Sequence, residues 1–177
     1  MKSPSTSAGK SRISVRDLVF LALMAALMVA GQVSMAALPN IEPVSLFIIA
    51  GAVVYGWQIL FSVYAFVLVE GLIFGFGMWF VNYLYVWTIL AVIAILLRNC
   101  EGRLLWAAVS GFFGLGFGFL CAIPYVFISG VPAAVAYYIS GIPFDLLHAA
   151  GNFVMALLLL PPCISVLKKL KRGAVTS

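Results

Sequence analysis

The sequence predicts an all-α integral membrane protein, a compact bundle of six transmembrane helices with both termini in the cytoplasm. Three observations lead there. The composition is 65% hydrophobic and only 8% charged, with a mean hydropathy of +1.20, whereas soluble domains carry about a quarter charged residues. Apolar runs of about twenty residues recur, the length a helix needs to cross the hydrocarbon core, and the period-2 alternation of a transmembrane barrel is absent. The ten basic residues precede or separate apolar runs or follow the last one, which is the positive-inside pattern. The net charge of +5 is therefore read as topology, with no nucleic-acid partner. In 177 residues the spans leave no room for a soluble catalytic or nucleotide-binding domain.

Residues 1–16 are predicted to be a basic cytoplasmic tail, 17–167 the transmembrane domain and 168–177 a second basic tail. Gly9-Lys10-Ser11 resembles the end of a P-loop, but Pro4 stands where its first glycine belongs and no strand precedes it. The basic start, apolar run and Ser34-Met35-Ala36 mimic a signal peptide, yet the run from Leu18 to Ala37 is too long for an h-region. It is predicted to be the first span, 17–37. Ala22, Ala26 and Ala30, with Ala25 alongside, fall on one narrow face. Small side chains there let a second helix approach closely, although alanine is also simply common in such helices.

Pro39 and Pro43 make residues 38–43 a loop. Residues 44–69 are either one long span or two segments broken at Tyr55-Gly56-Trp57-Gln58. One span would put Arg98, Arg103 and the C-terminal cluster outside; a break near Gly56 gathers every basic residue on one side, and so six crossings are expected. They are approximately 17–37, 44–56, 58–77, 82–98, 104–124 and 143–167, the second short and either tilted or packed inside. Between the third and fourth, residues 74–87 combine glycines and Asn82, a candidate N-cap, with aromatic side chains. Trp and Tyr favour the membrane boundary, so the stretch is either an aromatic belt or the mouth of a binding site. Gly111, Gly114, Gly116 and Gly118 mark the fifth span for close packing or local loosening. Residues 125–142 are expected to form an outer connection with a short helix at 133–139, and Pro161-Pro162 to kink or end the last span. Cys100, Cys121 and Cys163 show no paired spacing and no metal motif.

The candidate site consists of Glu42, Glu70, Asn82, Asp145, His148 and Asn152, with Trp79, Tyr83, Tyr85 and Trp87. Ionisable groups at membrane depth are costly and face an interior, a cavity or a partner. Asp145, His148 and Asn152 share one helical face just after Pro143, where Asp145 suits the first turn and the helix dipole. Glu70 lies roughly 10 Å below the outer end of its span. Together they suggest a small-molecule pocket. The competing reading is a Glu70–His148 or Asp145–His148 pair that only joins helices. One histidine and scattered cysteines supply neither a metal set nor a nucleophile–base pair, so no enzyme and no cofactor is expected. A proton-coupled secondary transporter using Glu70 is the alternative, against which no internal repeat is visible. An intramembrane enzyme is the more remote one.

The basic cytoplasmic ends, the Ala22-xxx-Ala26-xxx-Ala30 stripe, the Pro39/Pro43 loop and the outer polar residues together resemble the substrate-binding (S) components of energy-coupling factor (ECF) vitamin transporters. The likeness covers nearly the whole chain. It implies a high-affinity binder of a vitamin or related micronutrient in a prokaryotic plasma membrane. Ala22, Ala26 and Ala30 would dock on a transmembrane coupling subunit driven by two ATPases, and the loop around Asn40 and Glu42 would form part of a lid. The nickel and cobalt branch uses an N-terminal histidine, which this chain lacks, so the implied substrate is organic: a flavin, pterin, pyrimidine or corrinoid.

Overall fold

The computed structural model describes residues 13–38 and 40–172. The N-terminal stretch with Gly9-Lys10-Ser11, Pro39 and the residues beyond Arg172 lie outside them. The described chain is all-helical: α1 (Val15–Ser34), α2 (Val44–Tyr55), a one-turn 3-10 helix (Gly56–Gln58), α3 (Ile59–Phe74), α4 (Met78–Leu96), α5 (Arg103–Ser129) and α6 (Val131–Arg172). Among the described residues, five helical stretches are long and apolar enough to cross a membrane, namely α1, Val44–Phe74 taken as one, α4, α5 and α6.

A capping box that the sequence reading passed over starts α1. The Asp17 amide donates to Ser14 Oγ at 3.0 Å, and the Ser14 amide donates to Asp17 Oδ2 at 3.3 Å, so two otherwise orphaned donors are satisfied. The helix buries Leu21, Met24, Ala25 and Met28, and Ser62 of α3 donates to the Leu21 carbonyl at 2.7 Å.

The break at Gly56 is present. Its φ of +60° and ψ of −135° suit only glycine. Beyond it Ile59 lies against Gly51; in a continuous helix the two residues would stand about 12 Å apart, so the chain turns back. The expected N-cap at Asn82 is corrected. Helix α4 begins at Met78 behind Gly77, which leaves Asn82 buried in its second turn, where its Oδ1 accepts from Tyr85.

The expected outer connection at 125–142, with its short helix, is overturned. Helix α5 runs through Pro124 to Ser129, Gly130 alone makes the turn with φ +83°, and α6 follows as one 42-residue helix. Pro161-Pro162 do not end it either, and Lys168–Arg172 complete it. Proline removes one backbone donor, but an irregular lipid-facing segment would orphan many, so the helix is kept. At 1.5 Å per residue α6 is roughly 63 Å long, twice the hydrocarbon thickness of about 30 Å.

Helices α5 and α6 pack backbone to backbone. A Cβ on Gly114 would stand 2.9 Å from the His148 carbonyl and the Ala149 nitrogen, and one on Gly118 would collide with the Asp145 carboxylate. Gly116 faces open space.

The two ends of the bundle differ chemically. At one, Lys171 donates to the Val54 carbonyl at 2.7 Å and its ammonium sits 4.9 Å from the Tyr55 ring. Arg98, Arg103 and Lys168 line a cavity at this same end, and Arg98 reaches the Gly56 turn. At the other end, the 35–42 loop and the α3–α4 turn enclose the acidic groups.

Candidate functional site

A cavity of about 420 Å³ lies beneath the loop that follows α1. The end of α1 contributes Gln32, the loop Asn40, Ile41 and Glu42, α3 Glu70 and Phe74, α4 Trp79 and Tyr83, α5 Phe117 and α6 His148. Trp79, Tyr83 and Trp87 recur every four residues, so they share one face of α4. Their rings form an edge-to-face ladder, 5.3 Å from Trp79 to Tyr83 and 5.4 Å from Tyr83 to Trp87. It continues through Phe117, 5.3 Å from Trp87, to His148 at 4.9 Å. The wall of the cavity is therefore rigid and aromatic.

The polar groups on that wall are unsatisfied. Glu70 is 0% exposed and His148 1%, yet neither carboxylate oxygen nor either ring nitrogen has a hydrogen-bond partner among the described residues. Leaving such groups buried and unpaired costs several kcal/mol in apolar surroundings. The helix-joining reading fails in both forms, since His148 bonds neither Glu70 nor Asp145. Gln32 donates to the Tyr83 hydroxyl at 3.3 Å, and its Oε1 has no partner among the described residues. Among the described residues no lysine or arginine lines the cavity. It is thus rich in acceptors, suited to a ligand that donates N–H or O–H bonds over a flat apolar body.

Burial pushes the Glu42 carboxyl from its ordinary 4.5 up to about 8, and the charge of Glu70 adds to the effect. Glu70 on α3, Tyr83 on α4 and His148 on α6 share the cavity with it. Between those two pH values the folded chain keeps a proton that the unfolded chain has released, so the stabilisation present below pH 4.5 is lost as pH rises towards 8. The melting temperature of the ligand-free protein is expected to fall over that window, and Glu42→Gln to flatten the fall. An unchanged slope in the variant would remove Glu42 as its source.

The other expected site residues sit elsewhere, which corrects the idea of one convergent cavity. Asp145 is 2% exposed, its Oδ1 accepts from the Gly118 amide at 3.0 Å, and it lines a separate cavity of about 300 Å³. Asn40 and Phe117 border both spaces. Asn152 donates to Ser45 Oγ at 3.1 Å and to the Ser110 carbonyl at 3.3 Å, tying α6 to α2 and α5. Tyr85 donates to the Leu120 carbonyl at 2.6 Å, bracing α4 on α5 beside Asn82. Trp87, a rung of the aromatic ladder, is wholly buried and does not line the cavity. Glu42, Glu70, Trp79, Tyr83 and His148 do meet, joined by Gln32 and Phe117, which the sequence reading did not single out. Gln32, a polar side chain in the last turns of an apolar helix, carried a usable signal; Phe117, one of 14 phenylalanines, carried none.

Ala22, Ala26 and Ala30 are all exposed, on the side of α1 away from its buried Leu21, Met24 and Met28. A scan against protein-family models, a search of curated proteins and a search of solved structures each returned no match to this chain.

Proposed function

We propose that this chain is the substrate-binding subunit of an ECF-type importer, which captures a vitamin-like micronutrient outside the cell and delivers it inward when docked on a coupling subunit and two ATPases. The observation that carries the reading is the cavity beneath the 35–42 loop, where buried Glu70 and His148 have no described partner. A ligand with N–H donors and a flat ring would satisfy the acid and lie on Trp79 and Tyr83. The role is capture and delivery, without a catalytic step.

Six crossings with cytoplasmic termini go with this reading. The reversal at Gly56 and the meeting of Arg98, Lys168 and Lys171 at one end support it. Ser5→Cys and Ala174→Cys variants are expected to resist an impermeant thiol reagent in intact cells; labelling of either would overturn the topology.

Purification from the native membrane is expected to bring down one coupling subunit and two ATPases. Thermal-shift screening against flavins, pterins, pyrimidines and corrinoids should find a stabilising ligand. Trp79→Ala or Glu70→Gln should then weaken its binding by about 1–3 kcal/mol, the scale of one ring contact or one buried hydrogen bond. Wild-type affinity in both variants would remove the cavity from the mechanism. A buried lone acid also suits a proton-coupled carrier; uptake by the chain alone in proteoliposomes, driven by a pH gradient, would favour that reading instead.

A further inference from the structure

A third cavity, of about 640 Å³, lies at the opposite end of the bundle from Glu70, and the import reading gives its interior no role. Three basic side chains from separate elements border it: Arg98 after α4, Arg103 at the start of α5 and Lys168 in the last turns of α6. None of the three forms an ion pair with another described residue, and Glu101 is the one acid on the rim among the described lining residues. Confinement of basic residues to one side needs only the positive-inside rule, but that rule does not explain a concave site. Nor does it explain why Val53, Leu160 and Ile164 give the same cavity an apolar wall. The indole of Trp106 lies against the same space, and an indole is the side chain suited to the level of lipid headgroups.

From this juxtaposition we propose that the cavity is a binding site for an anionic phospholipid of the cytoplasmic leaflet, a sidedness that rests on the topology proposed above. Its phosphate lies among Arg98, Arg103 and Lys168, and its acyl chain runs along Val53, Leu160 and Ile164. Basic pockets between transmembrane helices on that side are suited to such headgroups. Three cations against one acid leave a net charge of about +2, which favours a lipid with two phosphates over one with a single phosphate. A free phosphate ion would use the rim and leave the apolar wall uncovered.

Native mass spectrometry of the delipidated protein in mixed micelles tests this, with cardiolipin, phosphatidylglycerol, phosphatidylcholine and inorganic phosphate as separate probes. The expected order of binding is cardiolipin, then phosphatidylglycerol, with phosphatidylcholine and inorganic phosphate far weaker. Removing each charge by Arg98→Gln, Arg103→Gln or Lys168→Gln should weaken cardiolipin binding about fivefold, the effect of one basic residue at a lipid surface. The pair Lys169→Gln and Arg172→Gln, outside the cavity, should leave binding close to wild type. All five side chains are exposed, and an unshifted melting temperature in detergent checks that each variant is folded. Equal losses in the control pair would show diffuse surface attraction and overturn the site. Binding of inorganic phosphate as tight as cardiolipin would reduce it to a small-anion site. Loss of a partner protein from the three cavity variants, with lipid binding unchanged, would make the face a protein-docking surface and defeat the proposal.

Discussion

Gly114→Leu is expected to abolish the native packing of α5 on α6, lowering stability by upward of about 3 kcal/mol or preventing recovery of folded protein. Even a methyl group at this position would stand 2.9 Å from the His148 carbonyl and the Ala149 nitrogen. Those atoms are helix backbone, so they cannot rotate aside as a flexible side chain would. Helix α6 would have to move outward as a whole, and the contacts that depend on its approach would loosen together. They are the Gly118–Asp145 bond at 3.0 Å, the Asn152 bonds to Ser45 and Ser110, and the ring contact of Phe117 with His148. Loss of the hydrogen bonds among them leaves buried polar groups unpaired, which adds to the steric penalty. Gly116→Ala is the control, because nothing lies within 4 Å of its added Cβ. Replacing a helical glycine by alanine there should stabilise by up to about 1 kcal/mol. Thermal melting and size-exclusion profiles of the two variants separate the outcomes. A Gly114→Leu protein with a wild-type profile would mean that the close approach of α5 and α6 does not hold the bundle.

What the sequence revealed and what it hid have a common physical origin. An ionisable residue stands out against apolar neighbours, so Glu70 and His148 were legible one by one. Their surroundings were not. Asp145, His148 and Asn152 do share a face of α6, but from 145 to 152 that face rises about 10 Å, enough to carry the three into different environments. Asp145 meets the Gly118 amide, His148 borders the main cavity, and Asn152 ties α2 to α5. A shared face is therefore no proof of a shared cavity. The prolines misled for a related reason. Pro143, Pro161 and Pro162 are breakers in a chain surrounded by water, where freed backbone groups find solvent. In a bundle facing lipid the cheaper arrangement keeps the helix and leaves one donor missing at each proline. Gly56 was legible because its positive φ coincides with a charge argument that was independent of local propensity.

On the proposed role as an importer's binding subunit, Ala26→Trp is expected to reduce uptake to background while the isolated protein keeps its ligand affinity within about twofold, a change well under 1 kcal/mol. Ala22, Ala26 and Ala30 form an exposed row on α1, opposite the buried Leu21, Met24 and Met28. Lipid gains little from meeting alanine in place of leucine. A helix of another protein gains closer dispersion contacts along the whole row, and an indole in the middle would hold the two helices apart. The cavity is insulated from that change. Its first contributor on α1 is Gln32, more than one and a half turns further along and turned about 120° from Ala26. Ala25→Trp should behave in the opposite way, since Ala25 is 6% exposed and packs inside the bundle, so the fold itself should suffer. Measuring assembly with the proposed coupling subunit, binding and uptake for both variants distinguishes the possibilities. Full uptake by Ala26→Trp would make this face lipid-exposed surface, and assembly retained with binding lost would mean that α1 shapes the cavity through this face.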